Sequence, residues 1–264
     1  MSSPSFPPVP ALFMDSPLRE VRLPYPEREI SLLLLADPMA LTREEDPASA
    51  SEEKAETKTE VYWGDLWPAA LALAQALLDG TVWLPNGSED ILELGSGSGL
   101  VSMCGAMAGK GEAHFLATDY VERSLKLVQA NAERNGVRPF VKTQRIDWRD
   151  PYPQRHRLIL GADVLYDPDA DWQVCRFLKQ ALLDEPHSDA RAVIVDPDRW
   201  SARNFHYTAQ EAGFNVRQFR RPVPFTSIHG PVRVEPLSGP ASDHERKGDQ
   251  TIEAIFYELT WREF

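Results

Sequence analysis

Four clusters of residues in this chain have the types and spacing to do chemistry. The first is Asp90-Ile91-Leu92-Glu93-Leu94-Gly95-Ser96-Gly97-Ser98-Gly99, a short apolar run ending in three glycines spaced by two. Glycine serves where the main chain turns with positive φ, or where a ligand approaches backbone N–H groups with no Cβ in the way. A loop of this kind, after a strand and before a helix, cradles a nucleotide-like ligand. The second is Asp119, twenty residues past Gly99 at the end of another apolar run. An acidic residue at that place suits ribose hydroxyls, which need a fixed acceptor; its competing use is as a turn or helix cap. The third is Asp147-Trp148, where an indole face and a carboxylate match an adenine ring and its exocyclic amine; packing of Trp148 on a neighbouring helix is the alternative. The fourth is Asp163-Val164-Leu165-Tyr166, a carboxylate and a phenol three residues apart after a further apolar run.

The glycine spacing discriminates between ligands. A dinucleotide fingerprint, G-x-G-x-x-G, counted from Gly95 and Gly97, needs its third glycine at Leu100, so a nicotinamide dinucleotide is disfavoured. The pattern present is E-x-G-x-G-x-G, with Glu93 just before the first glycine. No metal-ligand cluster and no nucleophilic triad stands out. Cys104 and Cys175, the only two cysteines, lie on predicted helices among apolar neighbours and read as buried thiols in a reducing compartment.

The elements that must position these residues alternate. Ile91, Leu92 and Leu94 predict a strand buried on both faces, and Leu100, Val101, Cys104, Met107 and Ala108 recur at helical spacing behind the glycines. Further strands are predicted over Ala113 to Thr118, Val141 to Ile146, Arg157 to Ala162 and Ala192 to Val195. Between them, helices carry Leu125, Val128 and Ala132, stopped by Asn135-Gly136, then Trp172, Cys175, Leu178 and Leu182, started by Pro168. Ser201 is expected to cap a helix bearing Phe205, Ala209 and Ala212. Phe214 to Arg221 and Thr251 to Trp261 have strand character, and a long loop from Thr226 to Gln250 joins them. That loop is read as either an acceptor-selecting segment or a surface hairpin tip. Upstream, Trp67-Pro68 opens a helix with Ala70, Leu71, Ala74, Leu77 and Leu78, ended by Gly80; Trp67 and Trp63 serve the core or wall the ligand.

This order predicts an α/β fold, a doubly wound, mostly parallel seven-strand sheet of Rossmann-like type whose last pair is antiparallel. All four clusters then leave carboxyl ends of strands, where such sheets bind ligands. Residues 1–60 are expected to form an N-terminal extension: strands at Arg19 to Tyr25 and Glu29 to Leu35 joined by a Pro24/Pro26 turn, then an acidic mobile linker from Thr42 to Glu60. Residues 61–264 form the main domain.

The chain has 264 residues, 42% of them hydrophobic, enough for one sizeable domain plus that extension. Its 28 basic and 40 acidic residues leave a net charge of −12, which opposes attraction to a phosphate backbone and argues against nucleic acid. No run approaches the ~18 apolar residues of a membrane span, and no secretory or transit pattern opens the chain. A cytoplasmic monomer is expected.

Leu66-Trp67-Pro68-Ala69-Ala70, Leu92 to Val101, Thr118-Asp119, Asp147-Trp148 and Leu158 to Tyr166, in this order, resemble methyltransferase family 16 of the seven-strand S-adenosylmethionine-dependent enzymes, many of which methylate protein lysines. The resemblance covers Val61 to Gly213. It implies S-adenosylmethionine as cofactor, held by Trp67, the glycine segment Glu93, Gly95, Ser96 and Gly97, Asp119, Asp147, Trp148 and Ala162, with an acceptor site at Asp163 and Tyr166. Asp196-Pro197-Asp198-Arg199 is similar to a segment in relatives of the lysine methyltransferase of the electron-transfer flavoprotein β subunit, except that a glycine is expected where Asp198 stands. A lysine acceptor, with pKa ~10.4 in water, must be neutral to attack; Asp163 would orient it by hydrogen bonding, and the Tyr166 ring would face a cation. A small-molecule amine as acceptor, or a catalytically silent cofactor-binding protein acting through partners, are the alternative readings.

Overall fold

The computed structural model describes residues 6–8, 10, 12–13, 16–25, 28–38, 62–85, 90–167, 169–185, 189–225 and 250–262. The expected acidic linker, the turn at Pro26, the helix-starting Pro168 and nearly all of the Thr226 to Gln250 loop lie outside them.

A seven-stranded sheet forms the frame. In chain order its strands are β4 (Asp90–Leu94), β5 (His114–Asp119), β6 (Val141–Arg145), β7 (Leu158–Ala162), β8 (Arg191–Asp196), β9 (Phe214–Phe225) and β10 (Gln250–Trp261). They lie side by side as β6-β5-β4-β7-β8-β10-β9, with β10 antiparallel to both neighbours and the other pairs parallel. The order reverses direction between β4 and β7, so the loops after these two strands open a crevice, as in other doubly wound sheets.

Period-two alternation assigns each strand residue to one of two cores. Ile91, Leu158, Leu160, Val193, Val195 and Phe256 pack under α1 (Pro68–Leu78), α2 (Leu100–Ala108) and α3 (Glu122–Arg134). Leu92, Leu94, Ile159, Ile194, Ile255 and Leu259 pack under α4 (Ala170–Ala181) and α5 (Phe205–Glu211). Every side chain of β8 is buried, as a central strand covered on both faces requires.

β9 runs four residues beyond the predicted end, through Pro222 and Pro224, and pairs with β10 along its whole length. Proline argues against a central strand, but β9 is the sheet's edge and its outward N–H groups need no partner. Ser201 does not cap α5. It sits inside a short 3-10 turn, Trp200–Ala202, and its hydroxyl donates to the Leu165 carbonyl, tying that turn to the end of β7.

The N-terminal strands β1 (Leu12–Phe13), β2 (Ser16–Tyr25) and β3 (Arg28–Leu35) make a separate small antiparallel sheet. Ile30, Leu32 and Leu34 join the main core, and Leu33 and Leu35 pack with Trp63, Val121 and Leu127. The open edge of β3 is closed by α3. Asn131 accepts from Leu33 N (2.7 Å) and donates to Leu33 O (3.0 Å), and Asn135 does the same with Ser31 N (3.0 Å) and Ser31 O (2.7 Å). One helical turn of four residues rises ~6 Å and two strand residues rise ~6.7 Å, so amides spaced i, i+4 match alternate strand residues.

Candidate active site

The carboxyl ends of β4, β5, β6 and β7 open into a cavity of about 360 Å³, in the range of small-molecule sites. Its wall is built first by the glycine turn. Gly95 and Gly97 have φ of +60° and +50°, conformations that L side chains rarely adopt. A Cβ on Gly95 would stand 3.1 Å from Val164 Cγ1 and 3.4 Å from Trp148 Cζ3, and one on Gly97 would stand 3.3 Å from the Trp63 carbonyl. The loop is therefore a cradle a Cβ would fill, and it fits a ligand that lies against main chain.

Asp119 ends β5 beside that cradle. Its Oδ2 accepts from Gly97 N (3.1 Å) and Ser124 Oγ (2.8 Å), and its Oδ1 accepts from Val121 N (3.0 Å). The carboxylate thus locks the glycine turn to the start of α3, and it also lines the cavity. Burial pushes its pKa up, against those three donors and the backbone at Tyr120. Trp148 lines the cavity next to Gly95, with Nε1 donating to Gln173 Oε1 of α4 (3.3 Å). Asp147 also lines it, but its carboxylate is held by the Arg149 guanidinium in a half-exposed pair at 2.5 Å, so an adenine amine would have to share it.

Ala162, Asp163 and Tyr166 line the same cavity. Asp163 adopts a left-handed conformation, φ +58°, tolerated by Asp better than by most residues. Its Oδ2 accepts from Ala69 N in the first turn of α1 (2.9 Å), and its Oδ1 takes the Arg199 guanidinium. Asp163 therefore caps a helix, but one distant in sequence and not the one that follows it. Burial pushes its carboxyl up, opposed chiefly by Arg199. Burial likewise raises the Tyr166 phenol, reinforced by Tyr120 and Asp167 nearby, so it stays neutral at physiological pH. Trp67, at the start of α1, faces the cavity, donates from Nε1 to Tyr62 O (2.9 Å) and meets the Tyr62 ring edge-on at 5.8 Å.

Two expected contact residues are placed elsewhere. Glu93 alternates onto the α2 face of β4, where its carboxyl accepts from Ser102 N (3.0 Å) and Ser102 Oγ; it is 2% exposed and does not line the cavity. Burial pushes it up to about 8. Ser96 is turned inward: its N–H donates to Thr118 O (2.8 Å), its carbonyl accepts from Gly99 N (2.7 Å), and its hydroxyl is buried with no hydrogen-bond partner among the described residues.

Sequence reasoning missed several wall residues: Tyr62, Tyr120, Arg145, Arg149, Gln173 and Arg199. Tyr120 could have been found from its place beside Asp119. Arg199 could have been found from the Asp196-Pro197-Asp198-Arg199 segment. Asp198, where relatives are expected to carry glycine, takes φ +66°, so the position does require the left-handed region and Asp fills it while pairing with Arg220 (3.0 Å).

A family model described as lysine methyltransferase matches residues 51–200, over half of the chain. Protein N-lysine methyltransferase METTL21A of Danio rerio is 36% identical over 108 residues, which cover 38% of this chain and 47% of that protein. The electron transfer flavoprotein beta subunit lysine methyltransferase of Mus musculus is 31% identical over 109 residues, covering 41% of this chain and 40% of that protein. The match therefore spans under half the length of each of these curated relatives. Among solved structures, a SAM-dependent O-methyltransferase from Thermotoga maritima shares the fold, with a TM-score of 0.50 at 16% identity over 92% of this chain and 79% of that one.

Proposed function

We propose, from the premise that this chain belongs to the lysine methyltransferase family, that it transfers a methyl group from S-adenosylmethionine to a lysine side chain of a protein. The observation that carries this reading is a single cavity lined together by the glycine cradle, Asp119, Trp148, Asp163 and Tyr166. When bound, the cofactor supplies a methyl group already electrophilic on its sulfonium. The protein's task is to align the acceptor with it and to exclude water. Gly95 to Gly97 admit the ligand to the main chain, Asp119 offers an acceptor for ribose hydroxyls, and Trp148 offers a stacking face for the base. Tyr166 brings an aromatic face to the same cavity, where it favours the cationic sulfonium of the bound cofactor.

In this reading residues 61–264 carry the chemistry as a monomer, and β3 of the N-terminal extension braces it. The buried thiols of Cys104 and Cys175 support a reducing, cytoplasmic setting. The acceptor is a folded or extended protein segment presenting a lysine.

The test is to incubate dialysed whole-cell extract with methyl-labelled S-adenosylmethionine and the purified protein, then separate protein-bound from soluble label. Recombinant electron transfer flavoprotein β subunit serves as a first defined acceptor, because relatives are named for it. Label on lysine in protein is the expected result. Label confined to small molecules would replace the protein acceptor with an amine metabolite, and no transfer by a protein that binds the cofactor would replace the enzyme with a binding module.

A further inference from the structure

The acceptor end of the cavity contains a cation of the protein's own. Arg199, from the loop after β8, reaches back so that its guanidinium meets Asp163, lies 3.4 Å from Asp196 Oδ2, and stands 5.5 Å from the centre of the Trp67 ring. Its main-chain N–H also donates to Asp196 Oδ1 (2.6 Å), which fixes the loop that carries it. The side chain is 17% exposed and lines the cavity that Tyr166 also lines. An aromatic face with a carboxylate behind it is where an incoming ammonium would be drawn, and the guanidinium already holds that place.

A carboxylate has about four acceptor positions. Asp163 spends them on Ala69 N–H, on the Ala70 backbone and on Arg199, so an acceptor amine finds at most one lone pair there. The arrangement is unsuited to gripping a three-proton ammonium. It suits a neutral amine that donates one hydrogen bond and keeps its own lone pair free.

We propose that Arg199 is a positioning residue of the acceptor site: it locks Asp163 against α1 and, as a fixed positive charge, makes the lysine amine enter without its third proton. This rests on the methyl-transfer reading above. The ammonium loses one proton to water. The amine lone pair then forms the N–C bond while the S–C bond breaks with its electrons remaining on sulfur, and the methylated ammonium gives its next proton to water. A cation beside an amine favours the neutral form, as a like charge does for any ionisable group.

The charged groups facing this point come from several elements. Asp163 and Asp196 end β7 and β8, Asp167 follows Tyr166, Asp119 ends β5, Arg145 ends β6, and the Asp147–Arg149 pair lines the same cavity. Arg199 is the cation among them in contact with Asp163, and a guanidinium does not deprotonate. Its removal therefore changes the local charge by one across the working pH range.

The experiment measures the pH dependence of single-turnover methylation, with saturating S-adenosylmethionine and dialysed extract protein as acceptor, for wild type, Arg199→Gln, Arg199→Lys and Asp163→Asn. The rate should rise with pH as the acceptor loses its proton. Relative to wild type, the midpoint should move up by about one pH unit or more in Arg199→Gln, the effect of a unit charge at ~6 Å in a medium between protein and water. It should move down in Asp163→Asn, where the cation keeps Asp196 but loses one of its two counter-charges, and stay near wild type in Arg199→Lys. A purely structural role predicts lower rates with unshifted midpoints. Equal midpoints in wild type and Asp163→Asn, or an Arg199→Lys midpoint as high as that of Arg199→Gln, overturn the inference. If Arg199→Gln does not fold, the other two variants still decide. Absence of any protein label with the wild type refutes the methyl-transfer reading instead.

Discussion

Glu93 offers the sharpest test of the forces inside the glycine-loop strand. Two effects compete at its carboxyl. Complete burial on the α2 face of β4 disfavours the charged form, while Ser102 N–H in the first turn of α2, together with the Ser102 hydroxyl, favours it. Burial wins and raises the pKa from 4.5 to about 8. Because the folded value lies above the unfolded one, the native state holds a proton that the unfolded chain has lost at intermediate pH. The stabilisation is then fully present below about pH 4.5 and is lost as pH rises through about 8. Across that window one extra native proton costs about 1.4 kcal/mol per pH unit, roughly 5 kcal/mol in all. Glu93→Gln keeps the shape and an acceptor for Ser102 but cannot ionise. The difference in unfolding free energy between wild type and Glu93→Gln, from urea melts at pH 5, 6, 7 and 8, should open steadily in favour of the variant. In thermal melts this corresponds to about 2–4 °C for each kcal/mol. Parallel pH profiles would show that the helix N-terminus keeps Glu93 ionised and that the burial argument is wrong.

Three other perturbations follow from the same geometry. Asp119→Ala removes the acceptor for Gly97 N, Ser124 Oγ and Val121 N along with any ribose contact, and calorimetry should show S-adenosylmethionine affinity reduced by ~1–3 kcal/mol, with Asn restoring part of it. Gly105→Ala would gain ~1 kcal/mol of helix propensity, yet its Cβ would fall 2.1 Å from Cζ of the fully buried Phe115; overpacking of ~1–3 kcal/mol should win and lower the melting temperature. Asn131→Ala breaks bonds to Leu33 N, Leu33 O and Ser98 O and should cost ~2–4 kcal/mol, and Asn131→Asp should be worse because it sets a carboxylate against two carbonyls; an Asp variant as stable as wild type in urea melts would contradict the paired-amide reading.

The sheet was legible because its evidence is local. The apolar runs of β4, β7 and β8, the glycine turn and the Gly80 and Gly136 stops lie within a few residues of the features they determine, and the structure has the predicted mostly parallel seven-strand sheet with an antiparallel last pair. The misplacement of Glu93 came from treating the motif as a unit. Leu92 and Leu94 face α4 and α5, so alternation puts Ile91 and Glu93 on the opposite face, beneath α2. The extent of β9 was not legible for a related reason: whether a strand runs through proline depends on its neighbours in the sheet, and edge position is a property of topology.

The candidate site divides along the same line. Gly95, Gly97, Asp119, Trp148, Asp163 and Tyr166 sit at strand ends, and a strand end reveals its direction once the strand is known. What holds them in place comes from far along the chain. Asp163 is fixed by Ala69, 94 residues before it, and by Arg199, 36 residues after it; Asn131 reads Leu33 across 98 residues and also grips the Ser98 carbonyl of the glycine loop. None of these pairings has a periodicity to detect. The i, i+4 asparagines come nearest, since two amides on one face of a polar helix invite a strand edge as their partner. Their effect reaches the cavity, because Asn131 joins β3 to the turn that must stay open for the ligand. Loosening the N-terminal hairpin should therefore be felt at the glycine cradle, which is a reason for an extension outside the seven-strand sheet to be packed into its core.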